Sequence, residues 1–229
     1  MSIKLFVTGI DTEIGKTHIS VGLVNAFNNA GYSTIGSKPI ATGGFWKDEA
    51  LYNNDAVLLQ EASSIKLPYQ IINPLVFEEP IAPHIAAKKK NSELSVEKIL
   101  PHLKKILNTP ADIYIIEGIG GWHVPLNNSE TMADVVKTCD LSVVLVIAIR
   151  LGCLNHAILS FNAIKQANLS IAGWVANFST SIHVLDTEEI ISTLANWIDA
   201  PCLGVIPYQE NAASILDIKT LLLNARITR

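Results

Sequence analysis

Lysines, carboxylates and hydroxyls recur in this chain at spacings that suit phosphate chemistry. In Gly9-Ile10-Asp11-Thr12-Glu13-Ile14-Gly15-Lys16-Thr17, two glycines bracket five residues, and Lys16 and Thr17 follow at once. Glycines let main-chain N–H groups converge on phosphate oxygens, and a helix starting here adds partial positive charge. Lys16 can then neutralise terminal phosphates, while the Thr17 hydroxyl can ligate magnesium. The common form of such a loop has roughly one residue fewer between the first glycine and the Gly-Lys pair, so this is a variant. Further along, Lys38 closes the strand-like stretch Ser33-Thr-Ile-Gly-Ser just before Pro39, and Glu117 ends Ile113-Tyr-Ile-Ile ahead of Gly118-Ile119-Gly120-Gly121. A carboxylate at a strand end next to a phosphate loop is what a nucleotide-bound magnesium requires, although aspartate is the more usual residue. Asp55, at the head of the helical stretch Ala56 to Ala62, reads first as a helix cap and second as a metal ligand.

These side chains can cooperate only if strands deliver them to one edge. An apolar run at 4–7 precedes the loop, and Ile19, Leu23 and Phe27 follow it at helical spacing as far as Gly31. Residues 33–38 read as a second strand. Ligands of open α/β sheets gather outside the carboxyl ends of the strands, so Lys38 and the stretch 40–44 belong near the loop. The segment 64–84 carries Pro68, Pro74, Pro80 and Pro83 without a sustained period and reads as a long functional loop. Residues 92–108 are amphipathic, and Pro101 is expected to kink or divide that helix. Strands at 112–117, 141–149, 171–178 and 203–206 alternate with helices at 154–167 and 186–198. This alternation predicts a three-layer α/β fold, a mostly parallel sheet covered by helices on both faces. With no linker or internal repeat, 1–229 is expected to form one domain.

Composition narrows the field. With 49% hydrophobic and 17% charged residues, the chain can bury a core and is unlike a disordered one. A net charge of -4 offers no footprint for nucleic acid, and the short run Lys88-Lys89-Lys90 reads as a solvated loop face. The first residues lack the charged, apolar and cleavage regions of a signal peptide, and no apolar run approaches the ~18 residues of a membrane span. A cytoplasmic protein with no membrane partner is expected. Cys139, Cys153 and Cys202 have no paired spacing and read as reduced thiols with packing roles.

The order of motifs is specific. The phosphate loop, Lys38-Pro-Ile-Ala-Thr-Gly, Asp55, Pro83-His84-Ile85, Glu117-Gly-Ile-Gly-Gly, Leu151-Gly-Cys-Leu-Asn-His, Gly173-Trp-Val-Ala-Asn and Gly204-Val-Ile-Pro-Tyr together resemble the dethiobiotin synthetase family. The resemblance runs from about residue 3 to about residue 211, and the long loop is the form that family uses. Ile10, Thr42 and Ile119 depart from the Thr, Ser and Ala common there. The resemblance implies a P-loop nucleoside triphosphatase-like fold and an ATP- and magnesium-dependent ligase of biotin synthesis. Its substrates would be ATP, 7,8-diaminononanoate and CO₂ or bicarbonate, and the enzyme would be a homodimer.

Site residues carry over from the same resemblance. Lys16, Lys38 and Thr12 would form the catalytic set, and Thr17, Asp55 and Glu117 would hold magnesium. The nucleotide would meet Glu13, Ile14, Gly15, Lys16, Thr17 and His18 in the loop, then Asp55, Glu117, Gly118, Ile119 and Gly120. Asn177, Phe178, Pro207, Tyr208 and Glu210 would complete its site. Thr42 and the turn Gly152, Cys153, Leu154 and Asn155 would bind the diamine substrate, the turn coming from the neighbouring subunit. A carboxylate inside a phosphate loop is unfavourable unless it faces a cation, so Glu13 is expected to turn towards the substrate's amines or the metal. Two other classes stay open: a partner-stimulated switch ATPase, and a nucleotide-binding module without catalysis. The first predicts turnover stimulated by a protein, DNA or membrane, the ligase reading turnover stimulated by a diamine and bicarbonate.

Overall fold

Seven strands form the central sheet of the computed structural model, which describes residues 2–182, 184–225 and 227–228. In chain order the first elements are β1 (Ser2–Gly9), α1 (Lys16–Asn29), β2 (Thr34–Ser37), β3 (Ile40–Ala41), β4 (Phe45–Lys47), β5 (Ala50–Tyr52), α2 (Asn54–Ala62) and α3 (Tyr69–Ile72). Next come β6 (Leu75–Val76), α4 (Pro83–Lys89), α5 (Val96–Leu107), β7 (Ile113–Glu117), α6 (Met132–Thr138) and β8 (Ser142–Ala148). The remainder is α7 (Cys153–Gln166), β9 (Ile171–Asn177), α8 (Thr187–Trp197), β10 (Cys202–Ile206), α9 (Ile218–Asn224) and β11 (Ile227–Thr228). The sheet order is β10-β9-β8-β1-β7-β2 with every pairing parallel, and β11 adds antiparallel to the start of β1.

The period of two along each strand sorts apolar side chains onto opposite faces. Val143, Leu145 and Ile147 of β8 join one core, whereas Val144, Val146 and Ala148 join the other. The first core is roofed by α5, α6 and α7 through Leu103, Val136 and Phe161. The second is covered by α1 and α9 through Leu23, Phe27 and Leu221. Helix, sheet and helix make the three layers anticipated from the alternation of elements.

Several elements differ from the sequence reading. Residues 64–84 are not one unbroken loop, because the short α3 and β6 interrupt the stretch and α4 begins at its end. Two of its prolines mark helix starts, Pro68 at the cap of α3 and Pro83 in the first turn of α4, where a missing N–H costs nothing. The two residues of β6 pair in parallel with β3, a contact too short to leave a period. Pro101 does not divide α5, which runs unbroken from Val96 to Leu107 under a Ser95 cap. The ring lies on the exposed side, so the carbonyl it leaves unpaired can meet water. Lys88 and Lys89 form the last turn of α4 rather than a loop, exposed as expected, where cations complement the helix dipole. Cys153 is buried, but Cys202 is exposed and has no packing role of the kind expected. The β4–β5 hairpin turns through Asp48 and Glu49, both at positive φ, with no glycine to announce it. Among the described residues no helix is long and apolar enough to cross a membrane.

Leu103 is fully buried on the inner face of α5, while Lys105 on the same helix is exposed. Leu103→Ala is expected to lower unfolding free energy by about 2–5 kcal/mol through the cavity it leaves. Lys105→Ala is expected to change it by less than about 0.5 kcal/mol, the pair being compared by urea titration.

Candidate active site

Parallel strands that end at one edge bring the chemistry together. Val7 of β1 is in register with Glu117 of β7, and Ser37 of β2 with Ile116, so the residue after β2, Lys38, arrives beside Glu117. Helix α2 adds Asp55 in its first turn. The Lys38 ammonium donates to Asp55 Oδ2 and to Glu117 Oε1, each at 2.6 Å, and the Thr17 hydroxyl donates to the same Glu117 oxygen at 2.9 Å. The side chains of Lys38 and Glu117 are 7% and 0% exposed. Burial alone pushes the Lys38 ammonium down, but the Glu117 and Asp55 carboxylates outweigh it and hold its pKa above the ordinary value.

Glu117 Oε2 is buried and has no hydrogen-bond partner among the described residues. A carboxylate oxygen in that condition, beside the Thr17 hydroxyl and near Asp55, is the donor set a hard divalent cation takes. The residues present therefore fit magnesium.

The phosphate loop connects β1 to α1. Gly15 at its end has φ 85, and a Cβ there would lie 2.3 Å from Asn177 Nδ2. Asn177, at the end of β9, donates that amide to the Ile14 carbonyl at 2.8 Å, so glycine is needed both for the turn and for the close approach. Asp11 is tied outward to Arg150, and its carboxyl is held below the usual range first by the Thr12 N–H and then by Arg150. Lys16 Nζ donates to the Asp11 carbonyl at 2.7 Å. Desolvation, reinforced by the Lys38 charge, lowers the Lys16 pKa to about 8.

A cleft of about 690 Å³ opens over these groups. Thr12 through His18, Lys38, Thr42 and Asp55 line it, as do Glu117, Ile119, Gly120, Asn177, Phe178 and Tyr208. Glu13 faces it from an exposed position at φ 54. Gly118 does not line it: its N–H donates to the Val7 carbonyl, and a Cβ would lie 2.7 Å from the Phe6 ring, so its smallness serves packing. Pro207 and Glu210 flank Tyr208 in an exposed turn without lining the cleft. The turn 152–155 is absent from the lining as well. Gly152, at φ 89, is the N-cap of α7, and no side chain caps the helix, so Asn155 lies inside it and is not its cap.

Pro80, Ser179 and Gln209 also line the cleft and were not singled out from sequence. Pro80 gets there because Gly43 and Gly44 donate to the carbonyls of Glu79 and Phe77, a pairing across 33 residues or more of chain that no local pattern reveals. The other two adjoin residues that were named.

A family model described as an AAA domain matches residues 4–215. The chain is 44% identical over 221 residues to the ATP-dependent dethiobiotin synthetase BioD of Pseudomonas paraeruginosa, covering 94% of this chain and 96% of that protein. It is 43% identical over 206 residues to the enzyme of the same name from Marinobacter nauticus, covering 90% and 88%. Among solved structures, the MinC:MinD cell division complex of Aquifex aeolicus superposes with a TM-score of 0.57 at 12% identity, covering 100% of this chain and 98% of that one. The septum site-determining protein MinD of Pyrococcus horikoshii, complexed with Mg-ADP, gives 0.56 at 15%, covering 96% and 89%. At such identity these two structures speak for the fold alone.

The lowered pKa of Lys16 gives a measurable signature. A bound polyphosphate restores the ammonium, so nucleotide binding should take up protons where free Lys16 is partly neutral. Uptake is expected to be negligible at pH 6.5, to reach roughly half a proton near pH 8 and to grow towards pH 9. Calorimetry in buffers of different ionisation enthalpy reads it, and uptake that does not rise between pH 7 and 9 contradicts the assignment.

Proposed function

Since the chain belongs to the ATP-dependent dethiobiotin synthetase family, ATP-dependent ligases of biotin synthesis, we propose that it closes the ring of dethiobiotin from 7,8-diaminononanoate and CO₂ through a carbamate and a carbamic-phosphoric anhydride. The observation that carries this reading is the meeting of Lys16, Lys38, Thr17 and two carboxylates in one cleft with a phosphate loop.

In the first step one substrate amine forms an N–C bond to CO₂ and loses a proton, leaving a carbamate anion. A carbamate oxygen then takes the γ-phosphoryl group of ATP, and ADP leaves. The second amine attacks the carbonyl carbon, the C–O bond to phosphate breaks, and the cyclic urea forms with loss of a proton. Phosphoryl transfer requires mainly positioning and charge stabilisation from the protein. Lys16 is seated to meet the phosphates, and Lys38 to meet the carbamate and the transferring group, while the Thr12 and Thr42 hydroxyls donate hydrogen bonds. Thr17, Asp55 and Glu117 would hold magnesium, which supplies charge neutralisation on the phosphates. Asp55 and Glu117 are also the two acceptors of the Lys38 ammonium, so the same carboxylates that would hold the ion keep Lys38 at the cleft. Glu13 is placed at the cleft to accept from the substrate's ammonium groups. Asn177, Phe178 and Tyr208 are the nucleotide contacts at the far side, with Pro207 and Glu210 in the same turn. One sheet carrying both cores supports a single domain.

The turn 152–155 supports a site shared between two copies. It leaves amides of the first turn of α7 without a side-chain cap, a setting that suits the substrate's carboxylate, yet it lies outside the chain's own cleft. A second copy would supply it, and the adjoining Leu151 is 99% exposed. The cytoplasm, where ATP and bicarbonate are available, is the proposed location.

Incubation with ATP, magnesium, bicarbonate and 7,8-diaminononanoate is expected to yield dethiobiotin by mass spectrometry. Turnover of ATP that ignores the diamine sinks the proposal. Gly152→Pro forces a negative φ on a residue at φ 89, so this variant is expected to bind ATP yet lose roughly tenfold to a hundredfold in diamine affinity. Mixed with Lys16→Gln chains, it should regain activity, because each heterodimer holds one site free of both changes. Inactive heterodimers built from folded chains argue against sharing.

A further inference from the structure

A buried phenol outside the cleft ties three of its residues together, and we propose that Tyr69 is a positioning residue for the reaction, setting Lys38, Asp55 and Thr42 through Asn73 and Asn53. Its hydroxyl donates to Asn73 Oδ1 at 2.8 Å and accepts the Asn53 N–H at 2.7 Å. The first bond fixes which way the Asn73 amide points, and Asn73 Nδ2 then donates to the Lys38 carbonyl at 2.6 Å. The Lys38 N–H donates to the Ile72 carbonyl at 3.1 Å, so the Lys38 backbone is held on both sides from α3 and the residue that ends it.

The second bond anchors Asn53, the N-cap of α2. Asn53 Oδ1 accepts from the N–H groups of Asp55 and Ala56 at 3.1 and 3.4 Å, and Nδ2 donates to the Thr42 carbonyl at 3.3 Å. One oxygen therefore governs the backbone at Lys38, the first turn that carries Asp55, and the strand end that carries Thr42. Tyr69, Asn73 and Asn53 are 7%, 2% and 7% exposed, so water does not substitute for a missing partner without rearrangement. The ring needs no hydroxyl to pack, since it already lies in the apolar core with its centroid 4.3 Å from that of Tyr52. Burial raises the phenol's pKa, which keeps it a donor at working pH.

This inference rests on the function proposed above, and the experiment separates the two. Tyr69→Phe removes one oxygen and keeps the ring. Its kcat for dethiobiotin formation is expected to fall ~10-fold while KM for ATP stays within about twofold, the pattern of misplaced groups beside an intact phosphate loop. Amide hydrogen exchange at Asp55 and Ala56 is expected to quicken ~10-fold relative to α5. Asn73→Asp keeps the acceptor for Tyr69 but loses the donor to Lys38, and should share the kcat loss. If Tyr69→Phe does not fold, Asn73→Asp alone decides. Either variant turning over at the native rate although it melts earlier, or Tyr69→Phe exchanging Asp55 and Ala56 at the native rate, overturns the inference and leaves Tyr69 a packing residue. A native protein that forms no dethiobiotin overturns the proposed function instead.

Discussion

A lysine ammonium buried between two carboxylates is the interaction on which the rest of the cleft depends. Lys38 follows the edge strand β2 in a buried position, where an unpaired charge would be prohibitive, and Glu117 beside it is wholly shielded from solvent. Removing one partner of such a buried pair costs about 3–5 kcal/mol, because the other is left uncompensated. Each member thus fixes where the others must be. The pair also keeps one Glu117 oxygen without a partner among the described residues, so the cluster satisfies itself only in part. Glu117 itself ends β7 at the edge of the sheet where the phosphate loop begins.

The topology makes this cluster inevitable once the strand order is set. β1 carries the loop, β7 carries Glu117 and β2 delivers Lys38, and these three are neighbours in the sheet with all their carboxyl ends on one side. On the other side of β1, Arg150 follows the end of β8 and Asn177 ends β9, and these brace the loop through Asp11 and Ile14. The loop is therefore held from both flanks of the strand at which the winding of the sheet reverses, where ligands of open α/β sheets bind. The exposed Asp11–Arg150 pair contributes little stability of its own, and its effect is to limit where the loop can go.

The segment between α2 and α4 shows how polar order can hide in an irregular stretch. Its prolines break any period, yet Tyr69, Ile72 and Asn73 carry hydrogen bonds that reach Lys38 and Asn53. A buried polar network of this kind tolerates no unmet member, so it specifies one arrangement of the backbone around the cleft.

The sequence by itself determined the phosphate loop, the layered α/β fold and the identity of Lys38 and Glu117 as strand-end residues, since glycine spacing and hydrophobic period are local properties. It also placed the boundaries of β8, α7 and β9 within a residue or so, because continuous apolar strands and a regular helix carry long signals. Short elements were illegible: β3 and β6 are two residues each, and the Asp48-Glu49 hairpin turn lacks its usual glycine. Pro101 was over-read because its cost falls on a carbonyl at the surface, and exposure is not written in local sequence. Only the tertiary structure decided that Lys38 pairs with both Glu117 and Asp55, that Gly118 serves Phe6 rather than the cleft, and that 152–155 stand apart from it. Those are contacts between residues tens of positions apart in the chain. They are fixed by strand order and packing, which no single segment contains.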